Sequence, residues 1–244
     1  MKSYVIVLVT FALLQTVAVT TAHAGGTLPP ISEDIRVGNQ ELRELTQRFG
    51  DESAAVDSTQ SKLQHLVQRL GAVSDLPSLP YEVHVLPSTI ANAICLPGGK
   101  ILVFAGIWDK KNGFIRKDNE GEAAAILAHE IAHAANRHWA RHEYGNESMH
   151  SAEYEMEADY RGMLNLARAG YNPRVMLKIF SRRVIKEAQE QSINVPEISS
   201  GTREWQRTFA SHPTHRRRTA AMRAHLQEAM KIYHTTQHEG VATE

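Results

Sequence analysis

Glu120-Gly121-Glu122-Ala123-Ala124-Ala125-Ile126-Leu127-Ala128-His129-Glu130-Ile131-Ala132-His133 is the stretch on which the reading of this chain turns. Its Ala-rich composition and the spacing of Ile126, Leu127, Ile131 and Trp139 predict one helix from Glu120 to about His142. On such a helix two His four positions apart are offset by about 40° around the axis, so both imidazoles reach one ion from the same face. Glu130 stands about 100° from His129, near enough to address a water at the ion without being a ligand. The H-E-x-x-H spacing is therefore that of a zinc site with a built-in general base.

With 13 His in the chain, an H-E-x-x-H would arise by chance in roughly one such sequence in twenty, so the pair needs a third ligand to carry weight. The segment Glu153-Tyr154-Glu155-Met156-Glu157-Ala158-Asp159 offers one. Its distance from His133 suits a turn back into a second helix, expected from about Met149 to Ala169, that delivers Glu155 opposite the two His. Asp159, one turn later, is placed to accept the free ring N–H of a ligating His and fix its tautomer. Glu153 and Glu157 are expected to face solvent. His138 and His142 lie farther along the first helix and are expected to be surface or packing residues.

Around this centre the pattern is mostly helical. Helices are expected from Ser32 to Phe49 and from about Ser58 to Leu70, then after Asn172-Pro173, and after His212-Pro213 as far as Tyr233. Gln189 to Arg203 reads as a polar loop. Tyr81–Leu86 alternates in the strand manner, and Lys100–Ala105 follows Pro97-Gly98-Gly99 as a β-rich run, so a small sheet is expected. The fold class is α+β, predominantly helical.

Charge is balanced, with 27 Lys and Arg against 27 Asp and Glu, which argues against a nucleic-acid partner. One cysteine, Cys95, rules out an intramolecular disulfide and is expected to be a buried, inert thiol. At the N-terminus Lys2 precedes an apolar run from Tyr4 to Val19 and then Ala22-His23-Ala24, the layout of a signal peptide cleaved after Ala24. Export to the periplasm follows from that reading, and tethering to the membrane through an uncleaved segment is the alternative. The expected division is a signal peptide over residues 1–24 and a metallopeptidase domain over residues 25–244, with a catalytic core from about 31 to 233.

His129-Glu130-x-x-His133 with Glu155-x-x-Ala158-Asp159 is joined by Asn92-Ala93 and Pro97-Gly98-Gly99-Lys100-Ile101 upstream, and by Ser211-His212-Pro213 with Arg218 downstream. Together these resemble the gluzincin zinc metallopeptidases that include periplasmic BepA and LoiP, HtpX and mitochondrial Oma, over roughly Ile31 to Tyr233. The resemblance implies an endopeptidase holding one Zn2+ per chain on His129, His133 and Glu155, with Glu130 catalytic. It also implies unfolded or misassembled envelope proteins as substrates, and peripheral association with a membrane or an assembly machinery. It places His212 near the metal, where an imidazolium would stabilise the oxyanion, or a neutral ring would cover the zinc and hold the enzyme latent. Arg218 would support the site or pair with a carboxylate. The resemblance further favours the strand after Pro97-Gly98-Gly99 as an exposed edge for an extended substrate, with interior sheet as the other reading. A chaperone-like binding protein with a His-covered zinc is the competing function; the presence of Glu130, which a purely structural site does not need, favours the enzyme.

Overall fold

The computed structural model describes residues 27–49, 53–110, 113–145, 152–191 and 215–241. The N-terminal residues 1–24 and His212 lie outside the described residues. The elements in chain order are α1 (Ile31–Phe49), α2 (Ser53–Gly71), β1 (Glu82–Leu86), β2 (Ala93–Leu96), β3 (Lys100–Phe104), α3 (Glu120–Ala135), α4 (His138–Gly145), α5 (Ala152–Arg168), α6 (Arg174–Gln191) and α7 (His215–Val241). This is the α+β, mainly helical architecture expected. Among the described residues no helix is long and apolar enough to cross a membrane.

Helix α3 starts where the Asn119 side chain accepts a hydrogen bond from the Glu122 backbone N–H, satisfying one of the orphan donors of the first turn. It is the central helix, and Ala124, Ala125, Ala128, Ile131 and Ala132 are completely buried. The small side chains let α5 come close. A Cβ placed on Gly162 of α5 would sit 3.2 Å from the Ala128 carbonyl oxygen and 3.0 Å from Met176 Cε. This approach is what brings the first turns of α5 over the His-bearing end of α3.

The single helix expected to His142 is in fact two. Arg137 adopts a left-handed backbone with φ 52°, a conformation that costs an L-residue with a Cβ roughly 1–2 kcal/mol. Tertiary contacts offset that cost: the Arg137 guanidinium donates to both carboxylate oxygens of Asp34 at 2.8 Å and to the Pro29 carbonyl at 2.6 Å. The break turns α4 away from the α3 axis, and it fastens the start of α1 beside the end of α3. The final helix also exceeds its expected end at Tyr233, running to Val241.

The three-stranded sheet has the order β1-β3-β2, with β1 parallel and β2 antiparallel to β3. The strand after Pro97-Gly98-Gly99 is therefore central, and all five of its residues are buried, which overturns the expectation of an exposed edge there. The hydrophobic run Ile101-Leu102-Val103-Phe104 is what a strand covered on both faces requires. Gly98, at φ 71°, carries the chain into β3 with its Cα against the backbone of Ile35, where a Cβ would lie 2.5 Å from Ile35 Cα.

The two sheet edges are treated differently. Along β1, Gln64 of α2 donates to the Tyr81 carbonyl at 3.1 Å and accepts from the Val83 N–H at 2.9 Å, while Gln60 accepts from the Val85 N–H at 3.3 Å. Those side-chain amides occupy the backbone groups that another strand would need. The other edge is β2, a strand too short and too irregular in pattern to be foreseen from the sequence. Substituting Gly162 by Val should force α5 away from α3 and lower stability by about 1–3 kcal/mol, as overpacking does; urea denaturation of the two proteins measures it.

Candidate metal centre

The close packing of α5 on α3 places His129, His133 and Glu155 in one group whose ligand atoms lie within 4.8 Å of one another. His129 Nε2 and His133 Nε2 are 3.2 Å apart, Glu155 Oε2 is 3.4 Å from His129 Nε2, and Glu155 Oε1 is 3.5 Å from His133 Nε2. Tetrahedral zinc with bonds of about 2.0–2.1 Å spaces its donors roughly 3.3–3.4 Å apart, so the three separations and the two-imidazole, one-carboxylate donor set fit zinc. Of the three glutamates on the first turns of α5, Glu155 is the one inside, and Glu153 is exposed.

Behind the donors lies a buried charge network. Asp159 Oδ1 stands 3.1 Å from His129 Nδ1, which favours a proton on that nitrogen and a lone pair on Nε2. Arg218, brought in by α7 and only 1% exposed, donates to Asp159 through Nε at 2.7 Å and Nη2 at 2.6 Å, and its Nη1 lies 2.8 Å from Glu155 Oε2. Its guanidinium lies over the Phe180 ring of α6, 4.4 Å from the centroid. Burial opposes the charge on Arg218, but Asp159 and Glu155 outweigh it and hold the group more firmly protonated than a free arginine. Burial opposes charge on Asp159 too, and Arg218 and then His129 pull its pKa below the ordinary carboxyl value.

The field at the donors favours a cation. Burial works against protonation of His129, yet Asp159 and Glu155 lift its pKa to about 9. Glu130 is driven the other way, chiefly by burial, which raises its pKa to about 7 with a further push from Glu155, against opposing pulls from His129, Arg218 and a backbone hydrogen bond from Cys95. A carboxyl poised near neutrality suits proton transfer in either direction.

Two neighbouring residues bear on the donors. His138 takes the packing place of the two expected for it: it is buried, its ring stacks on Tyr154 with centroids 4.5 Å apart, and its Nδ1 lies 2.8 Å from Nδ1 of His133. Burial, as the leading cause, lowers its pKa to about 4, so it is neutral. Glu157 does not simply face solvent; it is half-buried, accepts from Arg141 at 2.8 Å and lies 3.4 Å from His138 Nε2. The helix break at Arg137 turns His138 back toward His133, and a straight helix would have hidden this.

A cleft of about 360 Å³ opens onto the donors, lined among others by Asn92–Gly98 and by His129, Glu130, His133, Trp139, His142 and Glu155. Its wall is β2. Because the Asn92 carbonyl accepts from the Phe104 N–H at 3.0 Å, antiparallel alternation directs the backbone groups of residues 94 and 96 into the sheet and those of Ala93 and Cys95 outward. The Cys95 side chain is half-buried at this wall rather than lost in the core, and burial pushes its thiol pKa well up, so it is no thiolate.

The model of Peptidase family M48 matches residues 57–152 and 144–226, a span that holds α3, α5, the sheet and Arg218. The chain belongs to this family. It is 33% identical to the mitochondrial metalloendopeptidase OMA1 of Arabidopsis thaliana over 138 residues, covering 46% of this chain and 27% of that protein. To the OMA1 of Schizosaccharomyces pombe it is 27% identical over 184 residues, 63% of this chain and 53% of the relative. The Beta-barrel assembly-enhancing protease of Yersinia pestis is 33% identical over 76 residues, 31% of this chain and 14% of that protein. The chain thus spans about a quarter and about half the length of these two OMA1 proteins.

Replacing Arg218 by Ala would leave Asp159 and Glu155 buried without their counter-charge; the loss should be about 3–5 kcal/mol in a denaturant titration. Asp159→Asn adds a pH signature. A carboxyl whose folded pKa is depressed contributes stability above its unfolded pKa and loses it as pH falls through the folded value. The stability gap between wild type and Asp159→Asn should therefore be full at neutral pH and narrow as pH drops below about 4, read by denaturation at a series of pH values.

Proposed function

We propose that this chain is a zinc-dependent endopeptidase acting on unfolded or misassembled envelope proteins in the periplasm. The observation that carries the reading is the convergence of His129, His133 and Glu155 beside Glu130, at the base of a cleft walled by a strand edge. A zinc ion held by those three side chains would polarise the scissile carbonyl and acidify a water. Glu130 accepts the proton of the attacking water and returns it to the departing amine, a role matched to its pKa of about 7. Asp159 keeps His129 in the tautomer that offers Nε2, and Arg218 holds Asp159 and Glu155 in place. His212, assigned from the sequence to the oxyanion or to a latent cover of the zinc, keeps that role as a proposal.

Substrate enters as an extended chain. The outward backbone groups of Ala93 and the Cys95 carbonyl on β2 supply main-chain hydrogen bonds, so recognition depends little on side chains and demands a locally unfolded segment. This transfers the substrate edge from β3, where the sequence had suggested it, to β2. The location rests on the signal-peptide layout ending at Ala22-His23-Ala24, and the printed role of the Yersinia relative in β-barrel assembly agrees with an envelope substrate.

Glu130→Gln should retain zinc at wild-type stoichiometry by elemental analysis and lose roughly 10²–10⁴-fold in kcat/KM on an unfolded test protein. Cleavage at the wild-type rate by a zinc-loaded Glu130→Gln protein would remove Glu130 from the role. The same variant expressed with its leader should trap unfolded envelope proteins; a catch of folded or cytosolic proteins would overturn the substrate assignment.

A further inference from the structure

The two histidines of the centre are oriented by different means. His129 meets a carboxylate directly, at Asp159. At His133 the group 2.8 Å from Nδ1 is another imidazole nitrogen, Nδ1 of His138. Two ring nitrogens at hydrogen-bond distance cannot both carry a proton, nor can both be bare, so one donates and the other accepts. If His133 is to offer a lone pair at Nε2 toward Glu155 and His129, its proton must be on Nδ1, and His138 Nδ1 must then be the acceptor. A neutral His138 that accepts through Nδ1 carries its own proton on Nε2. That nitrogen lies 3.4 Å from Glu157 Oε2, and Glu157 is held by Arg141 at 2.8 Å. Arg141 in turn covers the Tyr154 ring, 4.6 Å from its centroid, and His138 stacks on the same ring.

We propose that His138 is a positioning residue for the metal centre: with Glu157 it forms a Glu157–His138–His133 relay that fixes the tautomer and ring plane of His133, as Asp159 does directly for His129. The inference rests on the proposed metal site of His129, His133 and Glu155 and adds to it a second, indirect carboxylate. The design has a structural reason. His133 sits at the last turn of α3, and the break at Arg137 brings His138 of α4 to its Nδ1. The stack on Tyr154 sets the His138 ring plane, and the Glu157–Arg141 pair sets which of its nitrogens is protonated.

The test compares zinc affinity, by competition with a chelator, for wild type, His138→Phe and His138→Asn in the full chain, with denaturation of each protein in excess chelator as a folding control. Phe keeps the ring stack on Tyr154 and removes the acceptor; Asn can place an amide oxygen where Nδ1 stood. Zinc affinity should fall about 10–100-fold in His138→Phe, the range for loss of an outer partner, and be largely recovered in His138→Asn. In the zinc-loaded wild type, nitrogen-15 spectra should show His138 as the neutral Nε2–H tautomer, a readout that a role in packing alone would not fix. Wild-type affinity in folded His138→Phe, equal weakness in Phe and Asn, or an Nδ1–H tautomer of His138 overturns the relay. Where His138→Phe fails to fold, the tautomer in wild type decides. Failure of wild type itself to bind zinc would overturn the underlying site, an outcome distinct from tight wild-type binding that ignores His138.

Discussion

The centre depends on how near two helices can come. Ala128 on α3 and Gly162 on α5 present no side chains that hold the backbones apart, and the room at Gly162 is already limited by the Ala128 carbonyl and Met176. At that distance a carboxylate on the first turn of α5 reaches the imidazoles on the last turns of α3, giving separations of 3.2–3.5 Å among the three donors. Bulk at this contact would be paid at the donors, because a densely packed interior passes a displacement along instead of absorbing it.

Proximity gathers charge that must be answered. Glu130, Glu155 and Asp159 share one buried region, and Arg218 is the buried cation that neutralises part of it. The remaining negative field shows in the raised pKa of His129, while Glu130 is raised chiefly by its burial and only secondarily by Glu155, each about two units or more from its ordinary value. A divalent cation among the donors meets that field with the appropriate sign, and burial beside it is what keeps the Glu130 carboxyl near neutrality. Structure and chemistry are linked here through α7: the helix that supplies Arg218 contributes electrostatics rather than ligands.

Access is decided by the sheet. Gln60 and Gln64 occupy the outer backbone groups of β1, β3 is enclosed on both sides, and β2 alone turns outward-facing backbone toward the cleft. The Cys95 N–H on that edge also reaches Glu130, so the strand that would receive a substrate touches the proposed base. An extended chain bound along β2 would therefore lie against the carboxylate of the proposed base without any further rearrangement of the sheet.

Much of this was written in local spacing. A period of 3.6 residues puts His129 and His133 on one face whatever surrounds them, and the apolar run from Ile101 to Phe104 specifies a strand buried on both faces. The recurrence of Glu155 and Asp159 one turn apart likewise fixed which carboxylates could act together. What the tertiary structure alone decided were contacts between segments remote in sequence. Arg137 takes a left-handed backbone only because Asp34 and Pro29 hold its guanidinium, and that break, invisible in an Ala-rich helical pattern, carries His138 to His133. β3 is central because β1 and β2 flank it, and Arg218 is committed to Asp159 and Glu155 because α7 packs on α5. Side-chain periodicity is a property of the backbone and can be read from one segment; the partner of a buried polar group is a property of whichever segment folds against it, and no single segment contains that information.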